Sequence, residues 1–402
     1  MRQLTLIVAE PNKAGSEHAT FNSAVLQSLE SCAKRSGRTL QWFCDPTHRS
    51  AILKLAPPML AQVYWRPITV ESGLRRTFVR KFVREISVTV SLLFKARRDR
   101  SPIVFLSVFP NVLPFLLLTR RIFREVPVHI FLHGELESLL NPEKQTIRRE
   151  GFWVKLALFH IFNGRWPFFY VLGAGIRDRL THLFPQVDAL QYIRAFEHPY
   201  SFNGRTSHPR PASFKHRVGF VGVGRHVKGI HAFFQLATSL APYISSGHLE
   251  FLLVGGMETG LQPEGAEWVT VLAPYGAGLS ADEYQRAISE LDCAVFLSTQ
   301  NYTLTASGSV FDIINEGKEI LSLKSNYLTD LSVYDPEGGI KFFDSLKDIE
   351  TEIRTRLHDG WHHRTFEYPD IRNLHSQQYK DTLMAALFPD SAELSHHKPA
   401  DF

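Results

Sequence analysis

At 402 residues the chain is too long for one ordinary hydrophobic core, so two domains of about 200 residues are expected. Hydrophobic residues make up 44% and charged residues 21%, a globular balance that excludes a disordered chain. The net charge of +5 is concentrated in one place: Arg75 to Arg100 holds nine Lys or Arg against Glu85 and Asp99, which leaves the remainder slightly acidic. No RNA-binding aromatic motif or zinc-type spacing accompanies that stretch, so nucleic acid is not an expected partner. Cys32, Cys44 and Cys293 lack metal-ligand spacing and read as buried, reduced cysteines of a cytosolic protein.

In chain order, "MRQLTLIVAE" has no apolar run of secretory-signal length and reads as a first strand. A helical pattern follows from Ser16 to about Ser31, and strands are predicted at "QVYW", "IVFLSV", "VPVHIFL" and "FFYVL". The most membrane-like stretch, residues 102–119, contains Pro110, Asn111 and Pro114, which suit a strand, a turn and a helix start rather than a span. In the basic stretch, Leu74, Phe78, Phe82 and Ile86 recur at roughly helical spacing. That pattern suits an interfacial helix on anionic lipid, with Arg75, Arg76, Arg80, Lys81 and Arg84 as a membrane or acceptor surface. It equally suits a packed helix with a solvated basic face.

The Ser-, Pro- and Gly-rich segment 201–216 reads as a linker between an N-terminal domain (1–200) and a C-terminal domain (217–372). A C-terminal helix and a disordered tail are expected over 373–402. The second half holds short apolar runs, "HRVGFVGV", "LEFLLVG", "VTVLA", "CAVFLS" and "EILSLK", as strands buried on both faces should be. Ser280 and Glu283 form a capping box, and Ile349 and Ile353 stand one turn apart after Ser345. Repeated β–α alternation predicts two Rossmann-like, doubly wound parallel sheets, with ligands beyond the carboxyl ends of the strands in a cleft that the two domains face.

Two stretches carry candidate chemistry. In Gly222-Val223-Gly224-Arg225-His226-Val227-Lys228-Gly229, a glycine turn and two cations precede a helix predicted to begin near Lys228. Unpaired N–H groups at that end, with Arg225 and Lys228, suit a phosphate or diphosphate. P-loop spacing is absent. In "NYTLTASGSVFDIINEGKEILSLK", a second helix opens at Ser307-Gly308-Ser309, and Asp312 lies one turn in, where a carboxylate can accept hydrogen bonds from ribose hydroxyls. Asp312 is also an ordinary first-turn acid favoured by the helix dipole. Gly317 is predicted to end that helix.

Together these stretches resemble the nucleotide-sugar-binding half of GT-B fold glycosyltransferases, especially the large retaining family 4. The family shows a glycine-rich segment with Arg and Lys before a helix, and about 80 residues later a glutamate pair, E-x7-E. The resemblance implies that Arg225 and Lys228 hold a donor diphosphate and that Asp312 takes the place of the second glutamate. Leu304 stands where the first glutamate would be, with Tyr302, Thr305 and Ser307 as nearby polar residues. In the first half, Ala14-Gly15-Ser16-Glu17 is similar to the family's glycine loop, where Gly15 allows close backbone approach. His133, in His133-Gly134-Glu135, ends a strand as in relatives whose histidine faces the donor sugar; a lone histidine is more often structural.

The resemblance thus implies a hexosyltransferase-type glycosyltransferase acting with retention on a glycan or lipid-linked acceptor, in surface polysaccharide or glycolipid assembly. Donor contacts would come from Gly15, Gly224, Ser307, Gly308, Ser309 and Asp312. His133, Arg225 and Lys228 would be the catalytic set. A nucleotide-diphosphate sugar would be the co-substrate, with no other cofactor and no metal, since no Asp-x-Asp motif is present. The expected location is cytoplasmic, with peripheral contact to an anionic membrane. A catalytically degenerate accessory subunit and a nucleotide-sugar epimerase of the same architecture remain open alternatives.

Overall fold

Apolar runs of three to six residues become parallel strands here because helices cover both faces of each sheet. The computed structural model describes residues 4–388 except 56–57, 71–77, 148, 165, 203–214, 262–263, 274–277, 299–301 and 362–363. The chain divides into two units. The first runs to Ser201 and takes up Leu304–Ala306 and the chain from Asn373; the second comprises Phe202–Thr303 and Ser307–Arg372. Most of the expected linker and the tail beyond residue 388 lie outside the described residues.

The first unit's strands are β1 (Thr5–Glu10), β2 (Thr39–Cys44), β3 (Tyr64–Pro67), β4 (Ile103–Phe105), β5 (Val128–Phe131), β6 (Phe168–Leu172) and β7 (Arg194–Phe196). They form one sheet in the order β3-β2-β1-β4-β5-β6-β7, parallel throughout. Helix Ala19–Arg35 lays Val25, Leu26 and Leu29 into the core formed by Leu6, Val8, Leu40 and Trp42. Helix Tyr379–Leu387 completes that core with Tyr379, Leu383 and Leu387. Each such fully buried side chain contributes roughly 1.5–3 kcal/mol of transfer free energy.

The second unit has β8 (His216–Val221), β9 (Leu249–Val254), β10 (Val269–Val271), β11 (Cys293–Phe296), β12 (Glu319–Leu323) and β13 (Ile340–Phe343). Their order is β10-β9-β8-β11-β12-β13, again parallel throughout. Ile230, Phe233, Phe234 and Ala237 of helix Ile230–Ser239 pack with Val218, Phe220, Phe251 and Leu253. Ile349 and Ile353 join the same core from a helix capped by Ser345.

Sequence patterning missed β2, β7 and β13. β2 ("TLQWFC") breaks its apolar run with Thr39 and Gln41, while β7 and β13 are short edge strands with Arg194 and Lys341 inside them. Pro114 does open a helix, Leu113–Leu118, and the Ser280–Glu283 capping box is formed. All three cysteines are buried thiols. No helix among the described residues is long and apolar enough to cross a membrane.

Candidate functional site

In an open parallel sheet, ligands bind outside the carboxyl ends of the strands where the strand order reverses. In the second unit that point lies between β8 and β11, the two strands from whose ends the candidate residues depart. Backbone crowding shapes the loops there. Gly222 follows β8 at φ +104°, and a Cβ on Gly255 (φ +144°), after β9, would stand 2.4 Å from the Gly222 carbonyl oxygen. Gly224 donates its N–H to the Gly256 carbonyl at 2.9 Å and accepts from Glu258 N at 3.0 Å. Both of its backbone groups are therefore spent on building the loop.

The helix expected near Lys228 begins instead at Ile230. A 3₁₀ turn over His226–Lys228 comes first, and Gly229 then reverses the chain at φ +82°. That glycine passes so close to the end of β11 that a Cβ would lie 2.6 Å from the Leu297 carbonyl oxygen.

The turn delivers Lys228 to the floor of the site. Its Nζ lies 3.4 Å from the position a Cβ on Gly222 would take, and Ser309 Oγ lies 3.8 Å from the same point. The Lys228 ammonium makes no hydrogen bond or ion pair among the described residues, and burial is the main cause that pushes it down to about 8. Arg225 lowers it further, and Asp312 acts in the opposite direction. Arg225 is exposed.

Ser307 is buried and precedes helix Gly308–Asn315 without capping it through its side chain; its Oγ lies 3.2 Å from Ser309 Oγ. Gly308 is exposed, and no side chain caps the first N–H groups of that helix. Asp312 is half-buried, and Tyr284 Oη donates to its Oδ2 at 2.9 Å. Sequence reasoning missed Tyr284, for which the only local signal is the capping box one residue before it. Gly317, at φ +65°, ends the helix as expected.

The first unit repeats this placement, since its strand order reverses between β1 and β4. The loop after β1 is pinned by Glu10, which is fully buried. Its carboxylate accepts from the N–H groups of Asn12 (3.0 Å) and Lys13 (3.2 Å), from Asn22 Nδ2 (3.1 Å) and from the Ser107 hydroxyl. Burial nevertheless raises its pKa above the usual glutamate value. Gly15 (φ +59°) donates its N–H to Thr47 Oγ1 at 2.9 Å, and its carbonyl accepts from His48 Nδ1 at 2.8 Å. Glu10, Asn22 and His48 were not singled out from sequence; a carboxylate closing an apolar strand was the one available hint.

His133 follows β5, half-buried, and its Nε2–H donates to the Leu106 carbonyl at 2.7 Å. Burial pushes it down to about 4. Glu135, two residues on, is pushed up to about 7, again by burial first. Leu304 is fully buried, and its N–H donates to Glu137 Oε2 at 2.7 Å. Of the nearby polar residues, Tyr302 is buried with its ring 5.1 Å from Phe296, and Thr305 Oγ1 lies 3.5 Å from the Cβ position of Gly134. Among the described residues no group of three or more His, Cys, Asp or Glu is placed to hold a metal ion.

No protein-family model matches this sequence, and no curated protein matches it. Solved structures do match. HepE of Anabaena, in complex with UDP, aligns with a TM-score of 0.61 over 98% of this chain and 100% of its own, at 14% identity. Sucrose-phosphate synthase of Thermosynechococcus elongatus gives 0.61 over 97% and 99%, at 13% identity. WaaG, a glycosyltransferase involved in lipopolysaccharide biosynthesis, gives 0.58 over 96% and 100%, at 11% identity. The chain has the GT-B fold. In this GT-B chain, the anion-ready residues Arg225, Lys228 and Ser307–Ser309 belong to the second parallel-sheet domain, and Gly15 and His133 to the first.

The basic stretch forms helix Phe78–Asp99. Arg75 and Arg76 lie outside the described residues, as do the side chains of Arg80 and Lys81; Arg84 is half-buried. Val83 and Phe94, three turns apart, are 59% and 55% exposed. Phe82 packs against Phe115 and Phe94 against Phe123, at 5.1 and 5.0 Å between ring centroids. These contacts bring up the short helices Leu113–Leu118 and Arg120–Phe123, whose Leu118 and Ile122 are exposed beside Arg121 and Arg124.

Proposed function

We propose that this chain is a glycosyltransferase that moves a sugar from a nucleoside-diphosphate sugar to a glycan or lipid-linked acceptor. The observation that carries the reading is the gathering of Lys228, Arg225, the open N-terminus of helix Gly308–Asn315 and Asp312 at one strand-order reversal. The barrier in such a transfer is expulsion of the diphosphate while positive charge grows on the sugar ring. Lys228 and Arg225 supply cations to the leaving group, and the helix adds N–H groups without reorganisation. Asp312, with one oxygen held by Tyr284, keeps acceptor capacity for ribose hydroxyls. UDP in HepE, and UDP-glucose in another HepE structure, support a nucleotide-sugar ligand in this architecture. Retention at the anomeric carbon follows from the family resemblance alone.

The test is calorimetric titration with UDP, GDP, ADP and their sugar conjugates, run beside a transfer assay. Binding with turnover is expected. No binding by any nucleotide would remove the reading. Binding without transfer would favour an accessory subunit, the reading to which buried Leu304 points. An isomerised donor sugar formed without acceptor would mark an epimerase.

The acceptor side includes peripheral contact with anionic lipid. Val83, Phe94, Leu118 and Ile122 offer apolar insertion, and Arg84, Arg97, Arg98, Arg121 and Arg124 offer charge. Such contact would place the enzyme at the cytoplasmic face of a membrane. Sedimentation with vesicles containing phosphatidylglycerol should exceed that with pure phosphatidylcholine, and Phe94→Glu with Ile122→Glu should abolish the difference.

A further inference from the structure

We infer that Glu10 is the resident anion of the first unit: its carboxylate fills a cradle of N–H and O–H donors at the strand-order reversal and confines that unit's ligands to uncharged groups. The confinement rests on the glycosyltransferase reading, since it leaves a donor diphosphate to the second unit. The filled cradle rests on geometry alone.

The cradle is drawn from both strands that flank the reversal. Asn12 and Lys13 follow β1, and Ser107 follows β4. Two N–H groups from the first and a hydroxyl from the second all donate to one atom, Glu10 Oε1, the N–H groups at 3.0 and 3.2 Å. Successive backbone N–H groups turned onto one oxygen are the arrangement by which loops hold phosphate and other anions. Here the oxygen belongs to the chain itself. Asn22 Nδ2 donates to Oε2 at 3.1 Å, and Glu10, Asn22 and Ser107 are all buried. Farther along the loop, Gly15 commits its N–H to Thr47 Oγ1 and its carbonyl to His48. Lys13 pairs its ammonium with Glu17 at 2.5 Å.

The protons can be assigned from the partners. A carbonyl only accepts, so the bond to Gly15 O requires hydrogen on His48 Nδ1. Burial lowers the His48 pKa, against the pull of Asp45 and Glu17, so the ring is neutral near pH 7 and its Nε2 is a lone pair. Asn22 must then turn its NH2 group toward that nitrogen, 2.7 Å away, and the same group supplies the donor to Glu10 Oε2. A flipped amide would set Asn22 Oδ1 against two acceptors. All four donors around Glu10 therefore meet a group that only accepts, which is an ionised carboxylate. Burial raises the Glu10 pKa, and the bonds from Ser107, Asn12 and Asn22 and the charge of Lys13 oppose that rise. A phosphate reaching this point finds its donors taken and a negative charge already in place. A hydroxyl meets no such repulsion.

Glu10→Ala deletes the atoms of an acetate ion, so acetate is the probe. The Tm of the full-length variant should rise by about 3–5 °C in about 100 mM sodium acetate over equal sodium chloride, with no difference for the unsubstituted chain. With 15N labelling, pyrophosphate should shift the Asn12 and Lys13 amides of the variant and leave them unmoved in the unsubstituted chain. Acetate without effect on the variant, variant amides that stay still, or movement of those amides before substitution would each overturn the inference. Shifts at Gly308 and Ser309 in the same titrations judge the diphosphate site of the second unit, so the glycosyltransferase reading can fail while the cradle stands. If Glu10→Ala does not fold, the Glu10 carboxyl itself decides. Its 13C signal, assigned by its loss in Glu10→Asp, should be that of an ionised carboxylate near pH 7, and a protonated carboxyl overturns the inference.

Discussion

At the reversal of strand order the second unit gathers an ammonium, a guanidinium, a carboxylate and a helix N-terminus without a side-chain cap, whereas the first gathers two neutral histidines, His18 on the pinned loop after β1 and His133 after β5. The two sheets share their parallel topology around that point, running 3-2-1-4-5-6 in the first six strands of each. Topology therefore fixes where a ligand sits, and side chains alone decide which kind. Full charges suit a diphosphate that leaves with an electron pair. Uncharged donors and acceptors suit hydroxyls, because they discriminate by direction without adding a field that favours any anion.

The strongest way to break this contrast is to remove the charges. Arg225→Ala and Lys228→Ala should each weaken nucleoside-diphosphate binding by about 1.5–3 kcal/mol, measured by calorimetry. Unchanged affinity in both would mean that the second unit is not a diphosphate site. The same contrast predicts different pH behaviour. Lys228 is charged below about 8 and loses its proton above it, so diphosphate affinity should fall as pH rises from 7.5 toward 9. His133 stays neutral above about 4, so the extra affinity contributed by the sugar should remain flat from pH 5.5 to 7.5.

A pair of glycine replacements sharpens the comparison at the backbone. Gly229→Ala meets the Leu297 carbonyl at 2.6 Å and a left-handed φ, and should cost about 1–3 kcal/mol or more in a denaturant melt. Gly15→Ala has open space within 4 Å and pays only for its φ of +59°, about 1 kcal/mol. Similar losses at both positions would contradict the crowding described at the end of β11. The smallest effect is expected from Tyr284→Phe, which removes one hydrogen bond to Asp312 and should weaken nucleotide binding by about 1 kcal/mol. Tyr284 stays a neutral donor, because burial and the neighbouring Asp312 both raise its pKa.

Legibility differed between the two sites for a physical reason. Gly222 to Gly229 and Ser307 to Asp312 each lie within one strand–loop–helix passage, so residue type and spacing expose them. The Glu10 network draws on Asn22, 12 residues away, and Ser107, 97 residues away, and no local pattern links them. His18 reads as an unremarkable helix-start residue until its φ and its neighbour at position 133 are known. The turn between Lys228 and the helix is hidden for a similar reason, since the demand on Gly229 comes from Leu297, 68 positions along the chain.

By itself the sequence determined two α/β domains of alternating buried strands and helices, because burial on both faces of a parallel sheet imposes continuous apolar runs that any reader can find. It also determined that cations precede one helix and that an acid follows the opening of another. Tertiary structure alone decided that Lys228 and Ser309 both approach Gly222, that His18 faces His133, and that the Leu304 N–H bonds to Glu137. Those meetings depend on which strands become neighbours in the sheet, and the strand order is set by packing between segments far apart in the chain.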